Sequence, residues 1–208
     1  MKAMTTINAN GHMIHILPVI KGLKSEADKV KDAFEKVQPN KVAISLSKEE
    51  IEGLRNLPDD YEPELSRYDE IYVSRLGRYG EVAAPPPCYV AAVELSDHFG
   101  IPLVPVDLDE VSYTDLYCAA VTGSALFRHS TRTWALRHRS FNAETPEEFV
   151  VLWDRVINGM QGFRLIESKR VEAMAKGILD ASTSSKDLLV VLELERAQEV
   201  SERIKEAL

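Results

Sequence analysis

The hydrophobic and polar positions of the chain follow two alternating patterns. Short, continuous apolar runs are separated by longer segments in which apolar residues recur every three or four positions. The short runs fit β-strands that are buried on both faces, and the longer segments fit amphipathic helices. This alternation predicts an α/β fold with a mostly parallel sheet of about four strands, covered by helices on both faces. We expect a single domain, 1–208, with a helical insert at about 112–181 before the last strand. The predicted strands are 12–17, 42–46, 100–106 and 187–192.

Start and stop signals set the limits of the predicted helices. The sequence from Ser47 to Glu50 has the form of a capping box, and Gly100 follows the end of a helical pattern. Ser25 is expected to cap the first helix, and Pro18 is expected to stop the first strand. The predicted helices cover 23–37, 47–57, 65–76, 88–99, 112–121, 125–138, 145–157, 164–181 and the segment from about 195.

Composition and charge narrow the choice of partners. The chain has 208 residues and a formal net charge of -8, whereas general nucleic-acid binding needs a positive surface. No apolar run is long enough to cross a bilayer, and the N-terminal residues lack the apolar core of a signal peptide. Cys88 and Cys118 are far apart and have no metal-binding spacing. We therefore expect a cytoplasmic protein with reduced thiols, no membrane span and no nucleic-acid partner.

Two acidic residues mark the most informative strand end. Asp107 and Asp109 follow the predicted strand 100–106, and ligands of open α/β sheets bind just beyond the carboxyl ends of the strands. Paired carboxylates can bind a metal ion or exchange protons with a substrate. Acidic residues at the start of a helix also need no function, because they interact favourably with the helix dipole. The sequence contains no phosphate-binding loop and no serine-nucleophile elbow.

One basic segment interrupts the acidic chain. Within 127–139, Arg128, Arg132 and Arg139 fall roughly on one face of a predicted helix. Arginines arranged in this way can bind an anionic ligand or a phosphate group. They can equally form salt bridges with neighbouring acidic helices, and both interpretations stay open at this point.

Three blocks of the chain resemble one known family. The block 37–46, VQPNKVAISL, is similar to a strand motif of the TraB/PrgY-like family, which is related to the EreA-type and TIKI-type proteins. The block 89–117 resembles the family's succession of an alanine-rich helix, a glycine, an apolar strand and an aspartate. The block 169–175 resembles a family motif that contains an arginine, which is Arg170 in this chain. The resemblance implies an α/β fold with a metal-dependent hydrolase site at the strand ends.

The chain departs from this family at most of the polar positions. Lys21 stands where the family has a histidine, Ser45 replaces a glutamate, and Leu108 replaces the arginine that follows the aspartate. The last motif has become 192–195, LELE, with neither glycine nor histidine. A positive charge at Lys21 would oppose a bound cation. The resemblance therefore implies a member that has lost the metal chemistry.

Two functional hypotheses follow. The first is a non-catalytic or repurposed homo-oligomeric protein that binds a small polar or anionic ligand, or a protein partner, without a metal or cofactor. The second is a hydrolase that holds Mg²⁺ or Mn²⁺ between strand-end carboxylates. The ligand-binding cleft of the first hypothesis comprises Lys21, Ser45, Asp107, Asp109, Arg128, Arg132 and Glu195. The carboxylates of the second are Asp107, Asp109, Glu193 and Glu195.

Overall fold

The protein is an α/β structure built on one mostly parallel sheet. A computed structural model describes residues 4–58, 61–159 and 161–208, except for the side chains of 129–134 and 161. Within this part of the chain the sheet has five strands in the order β1-β2-β5-β3-β4. All neighbouring pairs are parallel except β1 and β2. The strands are β1 Thr5–Ala9, β2 His12–Val19, β3 Lys41–Ile44, β4 Leu103–Pro105 and β5 Asp187–Glu193.

The helices lie close to their predicted positions. The capping box is present, because the Ser47 hydroxyl accepts a hydrogen bond from the Glu50 backbone N–H and the Glu50 carboxylate accepts one from the Ser47 N–H. Gly100 ends its helix in the left-handed conformation. The prediction for Ser25 was wrong, since the cap position is Lys24 and no side chain caps that helix. The helices are α1 Ser25–Val37, α2 Lys48–Arg55, α3 Arg67–Leu76, α4 Pro87–Phe99, α5 Glu110–Ala120, α6 Gly123–His138, α7 Pro146–Ile157, α8 Gln161–Ser182 and α9 Leu194–Glu206.

The first hairpin corrects the strand predictions. Strand β1 was not predicted; it pairs with β2 through a turn in which Asn10 and Gly11 both have positive φ. The first predicted strand does not stop at Pro18 but continues to Val19. Pro18 lies beyond Ile16, the last residue of β2 that pairs with β1, while the parallel pairing with β5 continues. A proline is tolerated there because β2 has a paired neighbour on one side only.

Strand β5 is the centre of the core. Its side chains alternate between the two faces of the sheet. Leu188, Val190 and Leu192 pack in an apolar cluster with residues of α8 and α9. Leu189 and Val191 pack in a second cluster with residues of α1, α2 and α4. Because β5 lies between β2 and β3, its last residue is placed in the middle of the carboxyl edge of the sheet.

The described helices are too short or too polar to be membrane spans. Among the described residues, none combines the length and the apolar composition that a bilayer span requires.

A charged crevice at the carboxyl edge of the sheet

Polar residues lie at the carboxyl ends of the four parallel strands, along one edge of the sheet. Lys21 follows β2, Ser45 follows β3, Asp107 follows β4, and Glu193 is the last residue of β5. Each parallel strand ends at this same edge, so residues far apart in sequence become neighbours there. Helices α8 and α9 complete the crevice with the three charged residues Glu167, Arg170 and Arg196.

Glu193 is the central charge of the crevice. Its side chain is 2% exposed, and its Oε1 lies 3.3 Å from Lys21 Nζ, 3.4 Å from Arg196 Nη1 and 3.8 Å from Arg170 Nη2. Burial alone raises the pKa of Glu193, but the positive charges of Arg196, Lys21 and Arg170 outweigh burial and hold that pKa far below its ordinary value. The other carboxylate oxygen, Oε2, is buried and has no hydrogen-bond partner among the described residues.

Two arginines are held by carboxylates on α8 and after β4. Arg170 donates from Nε to both oxygens of Asp107 at 3.1 Å, and its Nη2 also donates to Asp107. Glu167 accepts from Arg170 Nη1 at 3.1 Å and from Arg196 Nε at 2.7 Å, which links the two guanidinium groups. Planar guanidinium groups suit such two-point contacts with carboxylates. The network fixes the Arg170 guanidinium beside Asp107 and Glu167.

Lys21 is the most exposed charge of this ion-pair network, whereas the side chain of Glu195 is 14% exposed. The Lys21 side chain is 37% exposed. Burial lowers the pKa of Lys21, but the negative charges of Glu193 and Glu195 outweigh burial and raise it. For Glu195 the balance is opposite: burial and the charge of Glu193 raise the pKa above its ordinary value, despite the attraction of Arg196 and Lys21. Lys21 is therefore firmly cationic, whereas the crevice disfavours a negative charge on Glu195.

Ser45 forms part of a neutral wall. Its hydroxyl lies 3.0 Å from the hydroxyl of Tyr89, and both side chains are buried. Burial raises the pKa of Tyr89 well above its ordinary value, so this phenol stays neutral. Ser45 and Tyr89 therefore contribute hydroxyl groups but no charge to this side of the crevice.

Two cavities open beside Lys21. The first, which we call the aromatic cavity, has a volume of about 460 Å³ and contains Lys21, Asp154, Glu195 and Arg196 among its lining residues. The second has a volume of about 550 Å³ and reaches Ser45, Glu193 and the loop after α2. Aromatic side chains from four helices line the aromatic cavity: Tyr68, Tyr72, Tyr113, Trp153 and Phe163.

The loop that carries Lys21 depends on a glycine. Gly22 has a φ of +103°, a conformation that other residues rarely adopt. A Cβ atom there would lie 3.2 Å from Val82 Cγ1 and 3.3 Å from a Leu76 methyl carbon. Lys21 directly precedes this glycine, and its Nζ lies 3.3 Å from Glu193 Oε1.

The structure brings four of the predicted cleft residues to this edge and separates Asp109 and Arg128 from it. Lys21 and Glu195 line the aromatic cavity, Ser45 lines the second, and Asp107 binds Arg170. Asp109 is instead exposed and caps α5, accepting from the Ser112 backbone N–H at 2.7 Å; these hydrogen bonds lower the pKa of Asp109.

The described side chains of the basic helix line neither of the two cavities. Arg128 is exposed on α6, where its Nε donates to the Ser124 carbonyl at 3.3 Å, and it lines neither cavity. The side chain of Arg132 lies outside the described residues. Arg139 has its guanidinium 5.8 Å from the centre of the Phe141 ring.

The sequence prediction missed three charged residues of the crevice, namely Glu167, Asp154 and Arg196. Arg196 lies three residues after Glu193, at the junction of β5 and α9. Opposite charges at this spacing often form an ion pair, so the pair could have been predicted from the sequence. Asp154 reaches the aromatic cavity from α7, and no spacing in the sequence connects it with the strand ends.

The described residues of the crevice are those of an ion-pair network rather than those of a metal site. Within the described part of the chain, no three His, Cys, Asp or Glu side chains are grouped so that they could hold a metal ion. Neither a known protein family nor a functionally characterised protein matches this sequence.

Proposed function

We propose that this protein binds a small polar organic molecule at the carboxyl edge of its sheet, as a non-catalytic or repurposed relative of the TraB/PrgY-like family. One observation carries the proposal: Lys21, an accessible cation, lies where two cavities open beside the buried charges of Glu193 and Arg196. Buried ion networks contribute little net stability compared with apolar packing of the same volume. Their concentration beside open cavities therefore favours a role in recognition.

The size and lining of the cavities support a small ligand. Volumes of about 460 and 550 Å³ fall within the range of about 300–1,000 Å³ that small-molecule sites occupy. Such sites combine apolar and aromatic walls with a few polar groups that orient the ligand. The aromatic cavity has both, because Tyr72 and Trp153 form part of its wall beside Lys21 and Glu195.

Thermal unfolding with a panel of small molecules tests the proposal. The panel consists of amino acids, dicarboxylates, sugars and sugar phosphates, each at millimolar concentration. A ligand at a hundred times its Kd stabilises the native state by about 2.7 kcal/mol, which raises the Tm of a chain of this size by roughly 5–11 °C. We expect at least one such compound, and a smaller shift in Lys21→Met. Lys24→Met, which removes an exposed lysine of the same loop, is the matched control.

The outcomes separate the two functional hypotheses. If no organic compound changes the Tm, the binding proposal fails. If the Tm rises only with Mg²⁺, Mn²⁺ or Zn²⁺, the hydrolase hypothesis replaces the binding proposal. The metal would then be bound by carboxylates among Asp107, Asp109, Glu193 and Glu195. The homo-oligomer, the protein partner and the cytoplasmic location stay predictions, and the native mass in solution tests the first of them.

A further inference from the structure

The aromatic cavity presents incompletely paired groups of both charge signs. Asp154 and Glu195 supply carboxyl groups, and Lys21 and Arg196 supply cations. A ligand that satisfies all four must itself carry charges of both signs. The pairing of each group within the protein shows what the ligand has to provide.

On the acidic side, neither carboxyl group has a cation of its own. Asp154 accepts a hydrogen bond from Asn158 Nδ2 at 2.8 Å, and no Lys or Arg among the described residues forms an ion pair with it. Glu195 Oε1 lies 3.5 Å from Arg196 Nη1, but that nitrogen also faces Glu193 at 3.4 Å. Burial raises the pKa of both carboxyl groups, as expected for carboxylates with too little positive charge nearby.

On the basic side, an arginine nitrogen lacks a hydrogen bond. The Arg196 side chain is 8% exposed, and its Nη1 is buried without a hydrogen-bond partner among the described residues. A buried donor left without an acceptor destabilises the folded protein. Lys21 Nζ is 3.3 Å from Glu193 and keeps donor capacity toward the cavity, since an ammonium group has three donors. A ligand carboxylate would pair with Lys21 and add negative charge beside Arg196, whose Nη1 itself stays buried.

We propose that the ligand of the aromatic cavity is a zwitterion of the amino-acid type, an inference that rests on the proposed binding function. Its carboxylate lies toward Lys21 and Arg196, and its ammonium group lies toward Asp154 and Glu195. Its apolar side chain packs against the aromatic wall. A ligand with only a positive charge would be repelled by Lys21 and Arg196, and a ligand with only a negative charge would be repelled by the two carboxylates.

The aromatic wall favours an apolar side chain on this ligand. The rings of Tyr72 and Trp153 are 5.6 Å apart and tilted, and Phe149 packs against both at 5.8 and 6.0 Å. This packing holds Tyr72 and Trp153 in place before any ligand binds, so little conformational entropy is lost on binding. Tyr72 also donates a hydrogen bond to the Lys21 carbonyl at 3.1 Å, which connects the wall to the cationic side.

Neutralised derivatives test the two charges separately. The twenty common amino acids are first compared by thermal unfolding, and the best binder is then measured by calorimetry beside its amide and its N-acetyl derivative. The amide keeps only the positive charge, and the N-acetyl compound keeps only the negative one. We expect each derivative to bind at least about tenfold more weakly than the amino acid, because each leaves buried polar groups unpaired.

Two variants test which residue of the protein binds each charged group of the ligand. In Asp154→Asn the penalty for acetylating the amine should shrink, and in Lys21→Met the penalty for amidating the carboxylate should shrink. Asp180→Asn and Lys24→Met, which change exposed residues, should keep both penalties. Circular dichroism and the Tm without ligand verify that the variants fold; Glu195→Gln provides a second acidic variant if Asp154→Asn does not.

Failure of this inference differs from failure of the binding function. If other members of the panel bind but no amino acid does, the zwitterion is excluded and the binding function stands. An amide or N-acetyl compound that binds as tightly as the amino acid also overturns the inference. If no compound of either set binds, both proposals fall.

Discussion

Two arginine–aspartate pairs of similar geometry differ in burial. Arg170 and Asp107 are paired in the crevice, with side chains 16% and 5% exposed. Arg55 and Asp97 make the same two-point contact at the surface, with side chains 42% and 48% exposed. Breaking a buried pair leaves an uncompensated charge and costs about 3–5 kcal/mol, whereas an exposed pair contributes about 0–1 kcal/mol.

This contrast gives a prediction at the scale of one residue. Asp107→Asn should lower the free energy of unfolding by about 3 kcal/mol, because Arg170 then loses the carboxylate that binds it most closely. Urea denaturation at neutral pH measures the change, and Asp97→Asn is the control with an expected loss of less than about 1 kcal/mol. Equal losses in the two variants would contradict the structural role of the buried pair.

A second residue-scale prediction concerns the pH dependence of Glu195. Its pKa in the folded state is raised above the ordinary value of 4.5, mainly by burial. Below pH 4.5 both the folded and the unfolded protein carry the proton, so Glu195 costs nothing. As the pH rises from 4.5 to the raised pKa of the folded state, the unfolded state ionises first and the folded state loses stability. The cost is then fully present at neutral pH.

Replacing Glu195 by its neutral isostere should remove this cost. Glu195→Gln should raise the Tm at neutral pH, and its advantage over the wild type should shrink as the pH falls toward 4.5. A series of thermal unfolding curves from acidic to neutral pH measures the difference. Glu199→Gln, exposed on the same helix, controls for the loss of one negative charge. An advantage that is independent of pH would contradict the raised pKa.

At the scale of elements, one helix crossing depends on a glycine. A Cβ atom at Gly162, in the first turn of α8, would lie 2.5 Å from the carbonyl oxygen of Ala120 at the end of α5. Backbone cannot yield like a flexible side chain, so Gly162→Ala should destabilise the protein by about 1–3 kcal/mol. Gly53→Ala in α2 is the control: no atom lies within 4 Å of its Cβ position.

The two alanine variants should change stability in opposite directions. Gly53→Ala should stabilise the protein by up to about 1 kcal/mol, since alanine favours a helix more than glycine does. Urea denaturation of both variants gives the comparison. A neutral or stabilising Gly162→Ala would show that α5 and α8 can separate without loss, which would contradict their close crossing.

Local signals in the sequence predicted most elements. The capping box at Ser47 and the glycine at Gly100 act within a few residues, and the structure has both. Strand β1 was missed although Asn10-Gly11 is a strong signal for a two-residue hairpin. The prediction that Pro18 would end the first strand was wrong. A proline in a strand loses an N–H donor, and the cost of that loss depends on whether a neighbouring strand would have accepted the hydrogen bond. The local sequence does not show which strands are neighbours.

The candidate site was predictable only where a residue belongs to a strand end. Lys21, Ser45 and Asp107 directly follow strands, so the parallel topology alone places them at one edge. Asp154 and Arg170 reach the crevice from helices, and their positions depend on how α7 and α8 pack. The sequence shows which face of a helix is apolar, but it does not show which polar residue of that helix will face the crevice.

At the scale of the whole molecule, the structure separates a buried sheet from peripheral helices. Every residue from Leu188 to Leu192 of β5 is 0% exposed, and β5 pairs with a strand on each side. Helix α5 has no buried residue, and its Val111 is 71% exposed. Helix α8 lies between these extremes, because Met174 and Ile178 pack against the sheet. The segment predicted as one insert therefore has a peripheral beginning and a core-packed end.

This separation predicts different local stabilities. Amide hydrogens exchange through local opening, and segments with few buried apolar contacts open at low free energy. Peptides covering α5 should exchange faster than peptides covering β5 by several orders of magnitude, with the second half of α8 close to β5. Hydrogen–deuterium exchange followed by mass spectrometry measures all three in one experiment. If α5 exchanged as slowly as β5, the helix would be covered by a second chain or by a ligand in solution. Dilution of the protein would then separate the two causes, because it weakens association between chains and leaves a tightly bound small molecule in place.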